Sequence, residues 1–468
     1  MKHPRVVLVF PQMTVYDIQV EAATSTVFPI GLALIAAMLE GANIPVSVID
    51  MVAEELTIEG LVRRVAKIKP DIVGITATTV TYPRTRQIVC ALKTWRPNLL
   101  VVLGGPHASL VRDQLLRDTE ADVVVIGEGE HAMVEIAQAY RDGGGFDGIA
   151  GICFRSGGKI VATPRRPFIK DLDSLPFPAV HHFAPRVGRL AERYPVYPVC
   201  TGRGCTYACS FCGAAALSGR AYRIRSPENV VAEMAGVARQ YGMDQFFFVD
   251  DTFTAVSERT YKLCELIAKE LPGSHWICEC RTNCVSRHLL RTMAEAGCYK
   301  LQFGIESGNQ QILNGVQKGT TLEQIEEEVR NAFECGIEEV IGSFIVGLPG
   351  ESLETAMETV AFSIKLKGVA EETARRLGAR RQFGAFITSL VPFPKTRCTT
   401  EAEALGIRVL KNGPADFISD GLMTCTNGLS AKEIRELVMV GELFFHNVGL
   451  PGLNIPGLAK PEPVALAS

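Results

Sequence analysis

The sequence predicts an α/β protein made of two parallel-sheet units. The first is a doubly wound, Rossmann-like sheet over residues 1–145, and the second is a β/α barrel over 196–400. Three observations carry this reading. Short β-branched apolar runs alternate with amphipathic helical stretches, the rhythm breaks at a Pro-rich segment within 150–195, and it resumes at Tyr197. The length of 468 residues accommodates about three domains. With Lys+Arg 48 against Asp+Glu 51, the net charge is −3, which argues against a dedicated nucleic-acid binder. A hydrophobic fraction of 47% excludes a disordered chain.

In the first unit, Arg5–Phe10, Val46–Asp50, Asp71–Thr76, Leu99–Leu103 and Ala121–Ile126 read as strands. They are continuous rather than alternating, as parallel strands covered on both faces should be. Helical patterns lie between them at Pro29–Glu40, Ile58–Ile68, Arg84–Trp95 and Glu130–Tyr140. Residues 146–195 read as a hairpin (Ile152–Phe154, Lys159–Val161) and a Pro-rich linker. Strands then follow at Tyr197–Thr201, Gln245–Val249, Trp276–Arg281, Lys300–Ile305, Glu339–Val346 and Phe383–Val391. Pro227–Tyr241, Glu258–Leu271, Arg287–Ala296, Leu322–Cys335 and Leu353–Leu366 are the intervening helices. Such a barrel, partial or full, carries its chemistry at the strands' C-terminal ends. Residues 401–468 form a C-terminal region with one amphipathic helix, Ala431–Phe445, and a loose tail from Pro451. The arginines Arg375, Arg376, Arg380 and Arg381 read as a solvated helix end.

No apolar run reaches the ~20 residues of a membrane span. The N-terminus lacks a signal-peptide cleavage region, so a cytoplasmic location is expected. Fourteen cysteines are many for a reducing compartment. Their spacing gives the reason. Gly202-Arg203-Gly204-Cys205, then Cys209 and Phe211-Cys212-Gly213, place three thiols at C-x3-C-x2-C directly after the first barrel strand. Three thiolates on one tight loop hold three corners of a [4Fe–4S] cubane and leave the fourth iron open. A zinc site with Cys200 as fourth ligand, and plain core thiols, are the rival readings. Cys278 and Cys280 are expected on opposite faces of their strand, and Cys284 and Cys298 as core thiols. Cys90 is the lone cysteine before residue 153, so the first unit holds no second cluster.

The motif C-x3-C-x-aromatic-C at the head of a β/α barrel resembles the radical S-adenosylmethionine (radical SAM) superfamily. Phe246–Asp251, Gln302–Gly308 and Phe344–Glu351 look like the second, fourth and fifth strand ends of that barrel. The resemblance implies a [4Fe–4S] cluster on Cys205, Cys209 and Cys212, with S-adenosylmethionine on its open iron. It further implies Phe211 against the adenine, Gly213 beside the methionine, Glu306 and Ser307 at the ribose or methionine, and Gly347 beside the adenine. Arg281 is a weaker candidate for the carboxylate, or a structural ion pair; Glu306 likewise reads alternatively as a barrel salt bridge.

The first unit resembles the cobalamin-binding domain upstream of one radical SAM subfamily. Phe28-Pro-Ile-Gly31-Leu, Asp71–Thr78, Leu103–His107 and Gly127–Glu130 carry the likeness. It implies that Thr76, Thr78, Gly104, Gly105, Pro106, Gly127 and Glu128 contact the cofactor, with His107 a tail contact or a structural side chain. The Asp-x-His-x-x-Gly motif is absent: Gln12, Thr14, Tyr16 and Asp17 follow the first strand, and no histidine occurs between it and His107. Cobalamin is therefore expected base-off, without a histidine ligand.

Together these resemblances imply a cobalamin-dependent radical SAM methyltransferase. A 5′-deoxyadenosyl radical would abstract a substrate hydrogen, and methylcobalamin would deliver methyl to an unactivated carbon. The alternatives are an oxidative cyclase or rearrangement enzyme with the same cofactors, or a non-catalytic cobalamin or redox sensor. The implied partners are a small-molecule, lipid, tetrapyrrole or peptide substrate and an electron donor such as flavodoxin or ferredoxin, with no nucleic acid.

Overall fold

A computed structural model describes residues 3–12, 27–184, 190–410 and 424–445. Thr14, Tyr16, Asp17 and the tail from Pro451 lie outside the described residues. The first sheet contains β1 (Val6–Phe10), β2 (Val46–Asp50), β3 (Ile72–Thr76), β4 (Leu100–Gly104) and β5 (Val123–Val125), all parallel. Strands β6 (Ile152–Ser156) and β7 (Lys159–Ala162) complete it in the order β2-β1-β3-β4-β5-β6-β7. The expected hairpin therefore belongs to this sheet, pairing antiparallel with β5. Strand order reverses between β1 and β3, the position where an open α/β sheet opens a crevice at its strand ends.

The second sheet is parallel and runs β8 (Tyr197–Val199), β11 (Gln245–Phe248), β12 (His275–Cys280), β13 (Cys298–Glu306), β14 (Glu339–Val346) and β15 (Gln382–Ser389) in chain order. β8 and β15 are not paired with each other, so the barrel is partial. A small ribbon, β9 (Gly202–Arg203) with β10 (Arg223–Ile224), closes over the β8 end. A second, β16 (Ile407–Val409) with β17 (Thr424–Thr426), lies beyond β15.

The barrel helices start where short polar side chains cap them. Ser226, Ser286 and Thr321 accept from Asn229, Leu289 and Gln324 N–H groups, and Ser352 forms a reciprocal capping box with Thr355. The helix expected over Leu353–Leu366 continues to Leu377, because Val369, Ala370 and Thr373 prolong its buried face. It stops at Gly378, whose φ of 61° suits a residue without a β-carbon.

β12 alternates strictly. Trp276, Cys278 and Cys280 are buried under the helices, while Ile277 and Glu279 face the barrel interior. Cys278 and Cys280 thus share one face, against the expectation of opposite faces. The side-chain period of a strand is two, so residues i and i+2 point the same way.

The two sheets share a core. One buried apolar cluster runs from Val6, Leu8 and Phe28 through Tyr194 and Tyr197 into Phe246, Leu301, Phe344 and Ile434. At the seam, the Phe28 ring stacks on Phe183 with centroids 4.8 Å apart and meets Tyr197 edge-on at 5.3 Å. The other face of the first sheet has its own cluster around Val7, Ile75 and Leu103. No described helix is long and apolar enough to cross a membrane.

Candidate active site

The three-cysteine loop begins at the C-terminal end of β8, and its entrance is fixed from below. Buried Asp250, just past β11, accepts hydrogen bonds from the Thr201 N–H at 2.7 Å and from the Thr201 hydroxyl. Buried Arg259 donates to the Thr201 carbonyl at 2.9 Å. Gly204 has φ 95°, and a β-carbon there would lie 2.1 Å from the Ala221 carbonyl oxygen, so only glycine lets the loop pass.

Each sulfur has its own setting. Cys205 Sγ lies 3.8 Å from the Thr252 hydroxyl. Arg281 donates to Cys209 Sγ at 3.4 Å. Burial, opposed by the Ala214 N–H and reinforced by the neighbouring Cys209 sulfur, pushes the Cys212 thiol up to about 11. A bound metal would have to displace that proton.

Arrangement decides between zinc and a polynuclear cluster. Tetrahedral zinc thiolates at about 2.3 Å from the metal lie about 3.8 Å from each other. Among the described residues, the trio whose ligand atoms all meet within 4.8 Å is Glu40, His181 and His182, not the cysteines. The loop sulfurs do not all lie within 4.8 Å of one another, as thiolates gathered on one zinc ion would. Cys200 is half-buried in the cavity wall, and its thiol donates to the Gly202 carbonyl at 3.4 Å. The thiol arrangement fits [4Fe–4S].

Around the loop, Phe211 packs against a small cluster containing Leu348 and Leu390, at the β14 and β15 ends. A β-carbon on Gly213 would come 3.9 Å from Phe393. Gly347, φ 90°, turns the chain after β14 and donates its N–H to buried Glu351 at 2.5 Å. Burial pushes the Glu351 carboxyl up to about 7. Glu306, φ 72°, forms a buried ion pair with Lys318 at 2.7 Å. On the neighbouring strand Glu279 faces the barrel interior. Burial, then the charges of Asp251 and Glu306, pushes its carboxyl up to about 7.

Two residues are placed differently from expectation. Arg281 is spent beneath the loop, on Cys209, Asn283, the Lys318 carbonyl and the Tyr207 ring, its guanidinium 3.7 Å from the ring centroid. Ser307 is fully buried, 3.1 Å from the Thr359 hydroxyl and from the Asn309 N–H it accepts, so it does not reach the barrel mouth.

A cavity of about 490 Å³ opens between the strand ends of the two sheets. Thr76, Gly104, Gly105, Pro106, Gly127 and Glu128 line it from the first sheet; Pro198, Cys200, Arg203 and Val249 line it from the barrel. It runs back along the sheet over Gly74, between Ile35 and Met133. The sequence reading did not assign Gly74 to the site. A glycine inside an apolar strand pattern was the available signal of close approach. Glycines (Gly74, Gly104, Gly105, Gly127) open the sheet side of a cavity otherwise lined mostly by apolar side chains, a cradle whose residues fit cobalamin.

Thr78 and His107 do not line this cavity. The Thr78 hydroxyl lies 3.0 Å from the Thr81 hydroxyl at the head of the helix Tyr82–Trp95. His107 is buried on the other side of its helix, stacked 4.6 Å from Tyr82, with Nδ1 3.1 Å from the Thr79 hydroxyl. Burial lowers its pKa to about 4, so it is neutral at pH 7. Gly105 acts through the backbone: its φ is 95°, and a β-carbon would sit 2.6 Å from Thr76 Oγ1 and 2.8 Å from the Ala77 carbonyl. Glu128 is held in an ion cluster with Arg203 at 2.8 Å and Arg223 at 2.7 Å, and accepts the Ile169 N–H at 2.7 Å.

Comparison with known proteins agrees with this layout. Residues 16–137 match the B12 binding domain and residues 199–363 match the Radical SAM superfamily. The chain is 34% identical over 367 residues to an uncharacterized methyltransferase of Pyrococcus horikoshii, covering 78% of this chain and 79% of that one. It is 31% identical over 348 residues to the anaerobic magnesium-protoporphyrin IX monomethyl ester cyclase of Rubrivivax gelatinosus, covering 71% and 61%. Among solved structures, the radical S-adenosylmethionine methyltransferase TsrM from Kitasatospora setae, with cobalamin and a [4Fe-4S] cluster bound, shares the fold. Its TM-score is 0.72 at 21% identity, over 93% of this chain and 91% of that one. The two matched regions are the two sheets whose strand ends enclose the cavity, and with a relative of this identity and coverage the chain belongs to the cobalamin-binding radical SAM enzymes.

Proposed function

We propose that this protein is a cobalamin-dependent radical SAM methyltransferase acting on an unactivated carbon of a small organic molecule. The observation that carries the reading is the shared cavity: its barrel wall, Cys200 to Arg203, runs directly into the cysteine loop. When bound, the cluster with S-adenosylmethionine supplies a hydrogen-abstracting radical and cobalamin supplies the methyl group.

The chain's own residues bind and orient. Cys205, Cys209 and Cys212 hold the cluster, and Arg281 steadies the Cys209 thiolate. Phe211 and the Gly347 turn offer an apolar seat for the adenine, and Gly213 leaves its neighbourhood uncrowded. Glu306, fixed by Lys318, presents a carboxylate with a defined orientation to the amino or ribose groups. Gly104, Gly127 and Thr76 border the corrin, and Gly74 admits its tail. No histidine lines the cavity among the described residues, and a cobalamin whose tail is drawn back over Gly74 would be held base-off, without a histidine ligand. A flavodoxin- or ferredoxin-type donor supplies the electron.

The test is anaerobic reconstitution, with iron, sulfide and cobalamin counted and 5′-deoxyadenosine assayed under reduction. Formation of 5′-deoxyadenosine with a methylated product supports the proposal. Oxidative cyclisation is a second reading favoured by the Rubrivivax relative. It gives 5′-deoxyadenosine and a new ring without a transferred methyl group. No 5′-deoxyadenosine from fully loaded protein would leave the sensor reading.

A further inference from the structure

Far from the cysteine loop, the last turn of the helix Ile30–Gly41 carries Glu40. One oxygen of this carboxylate accepts from His181 Nε2 at 2.8 Å and from His182 Nε2 at 2.9 Å. The two imidazoles lie side by side with centroids 4.4 Å apart. Two nitrogen donors and one carboxylate oxygen thus converge on one point, all within 4.8 Å of one another. A tetrahedral zinc ion with bonds of about 2.0–2.1 Å holds its donors about 3.3 Å apart, so each contact need open by only about half an ångström. Imidazole plus carboxylate is a donor set that borderline divalent cations prefer. The site also lies at a helix C-terminus, where the backbone carbonyls favour positive charge. His181 is open to solvent, which leaves a path for the ion and room for a water as fourth ligand.

We infer that Glu40, His181 and His182 bind one zinc-class divalent cation, a site separate from the cluster and the corrin. The site clips two segments together. The N-terminal half of the Glu40 helix (Ile30, Gly31, Leu34, Ile35) walls the cavity. The histidines belong to the connector that leads into the barrel, already tied to this helix by the Ala179 N–H on the Ala33 carbonyl at 3.0 Å. Phe183, next in the chain, stacks on Phe28 at the cavity edge. A bound ion therefore fastens the connector to the cavity wall.

The experiment uses tag-free holoprotein, cluster and cobalamin in place, so that the loop cysteines are already ligated. After passage over a chelating resin, Zn²⁺ is titrated by calorimetry and counted against iron and sulfide. One zinc per chain is expected, weakened roughly tenfold or more in His181→Ala and in Glu40→Gln. The zinc-edge absorption spectrum should show two imidazoles. His181 is exposed, so His181→Ala tests the ligand without disturbing packing. Absence of zinc uptake by the wild type, or uptake by either variant as tight as the wild type's, overturns the site.

Discussion

Cys209 has the most instructive surroundings of the loop cysteines, because an arginine donates to its sulfur. Substituting alanine at Cys205, Cys209 or Cys212 should each abolish S-adenosylmethionine cleavage and cut bound iron, since three thiolates complete the cluster. Cys200→Ala should largely spare both, its thiol being occupied by the Gly202 carbonyl; loss of iron there would mean a four-thiolate site. His107 supplies a pH prediction. Burial lowers its pKa from 6.5 to about 4, so between those values the unfolded chain binds a proton the folded one refuses. Stability therefore falls as pH drops from about 6.5 to 4, and is unaffected by this group above 6.5. In His107→Gln, that part of the slope should vanish from urea titrations run across this range. The cob(II)alamin paramagnetic spectrum should show no axial nitrogen splitting, in the wild type and the variant alike.

At the level of elements, two adjacent glycines after β4 should separate cleanly. A β-carbon on Gly104 meets nothing nearer than Val125 at 4.0 Å, so Gly104→Leu should fold and push its side chain into the cavity. Cobalamin affinity should drop more than roughly tenfold, about 1.4 kcal/mol, with cluster content and uncoupled 5′-deoxyadenosine formation retained. Gly105→Leu should instead lower the melting temperature, because its β-carbon strikes Thr76 and the Ala77 backbone. Equal stability of the two variants would refute this distinction. The elements themselves were readable from pattern: Ile58–Ile68, Pro227–Tyr241, Glu339–Val346 and Ala431–Phe445 have the boundaries that periodicity and caps predict. The cysteine loop was readable because its ligands are local in sequence. Lys318, Thr359 and Arg223 were not, since each meets its partner across 12, 52 and 95 residues. Thr78 and His107 leave the cavity-lining loop on its far side, because a motif gives the loop but not the direction in which each side chain leaves it; for His107 this is the structural alternative.

Across the whole molecule, the seam between the sheets rests on charge as well as on aromatic rings. Arg203 reaches Glu128 at 2.8 Å and Glu130 at 2.6 Å. Burial would raise the Glu128 carboxyl, yet hydrogen bonds from Arg203, the Ile169 N–H and Arg223 outweigh it and hold the group low. Its contribution to stability is present above the ordinary carboxylate pKa and is lost as pH falls through the depressed value. Arg203→Met leaves Glu130 buried without this partner and should cost about 3 kcal/mol or more, read by urea denaturation. It should also weaken cobalamin, because Arg203 lies in the cavity wall. Unchanged midpoint and affinity would count against the seam's importance.

The apolar cluster that passes uninterrupted from β1 through Phe28 and Tyr197 to the helix Ala431–Phe445 has a thermodynamic consequence. The first sheet keeps a cluster of its own on one face, but its other face is completed by the barrel, so the halves should not unfold as separate units. Calorimetry of the whole chain should show a single endotherm whose van't Hoff and calorimetric enthalpies agree. A chain cut between residues 145 and 196 should yield fragments that expose the Phe28 and Tyr197 faces and self-associate rather than fold. For this architecture the meeting of two cofactor sites is a property of one cooperative body, and swapping its first half for that of a relative would require remaking the seam residue by residue.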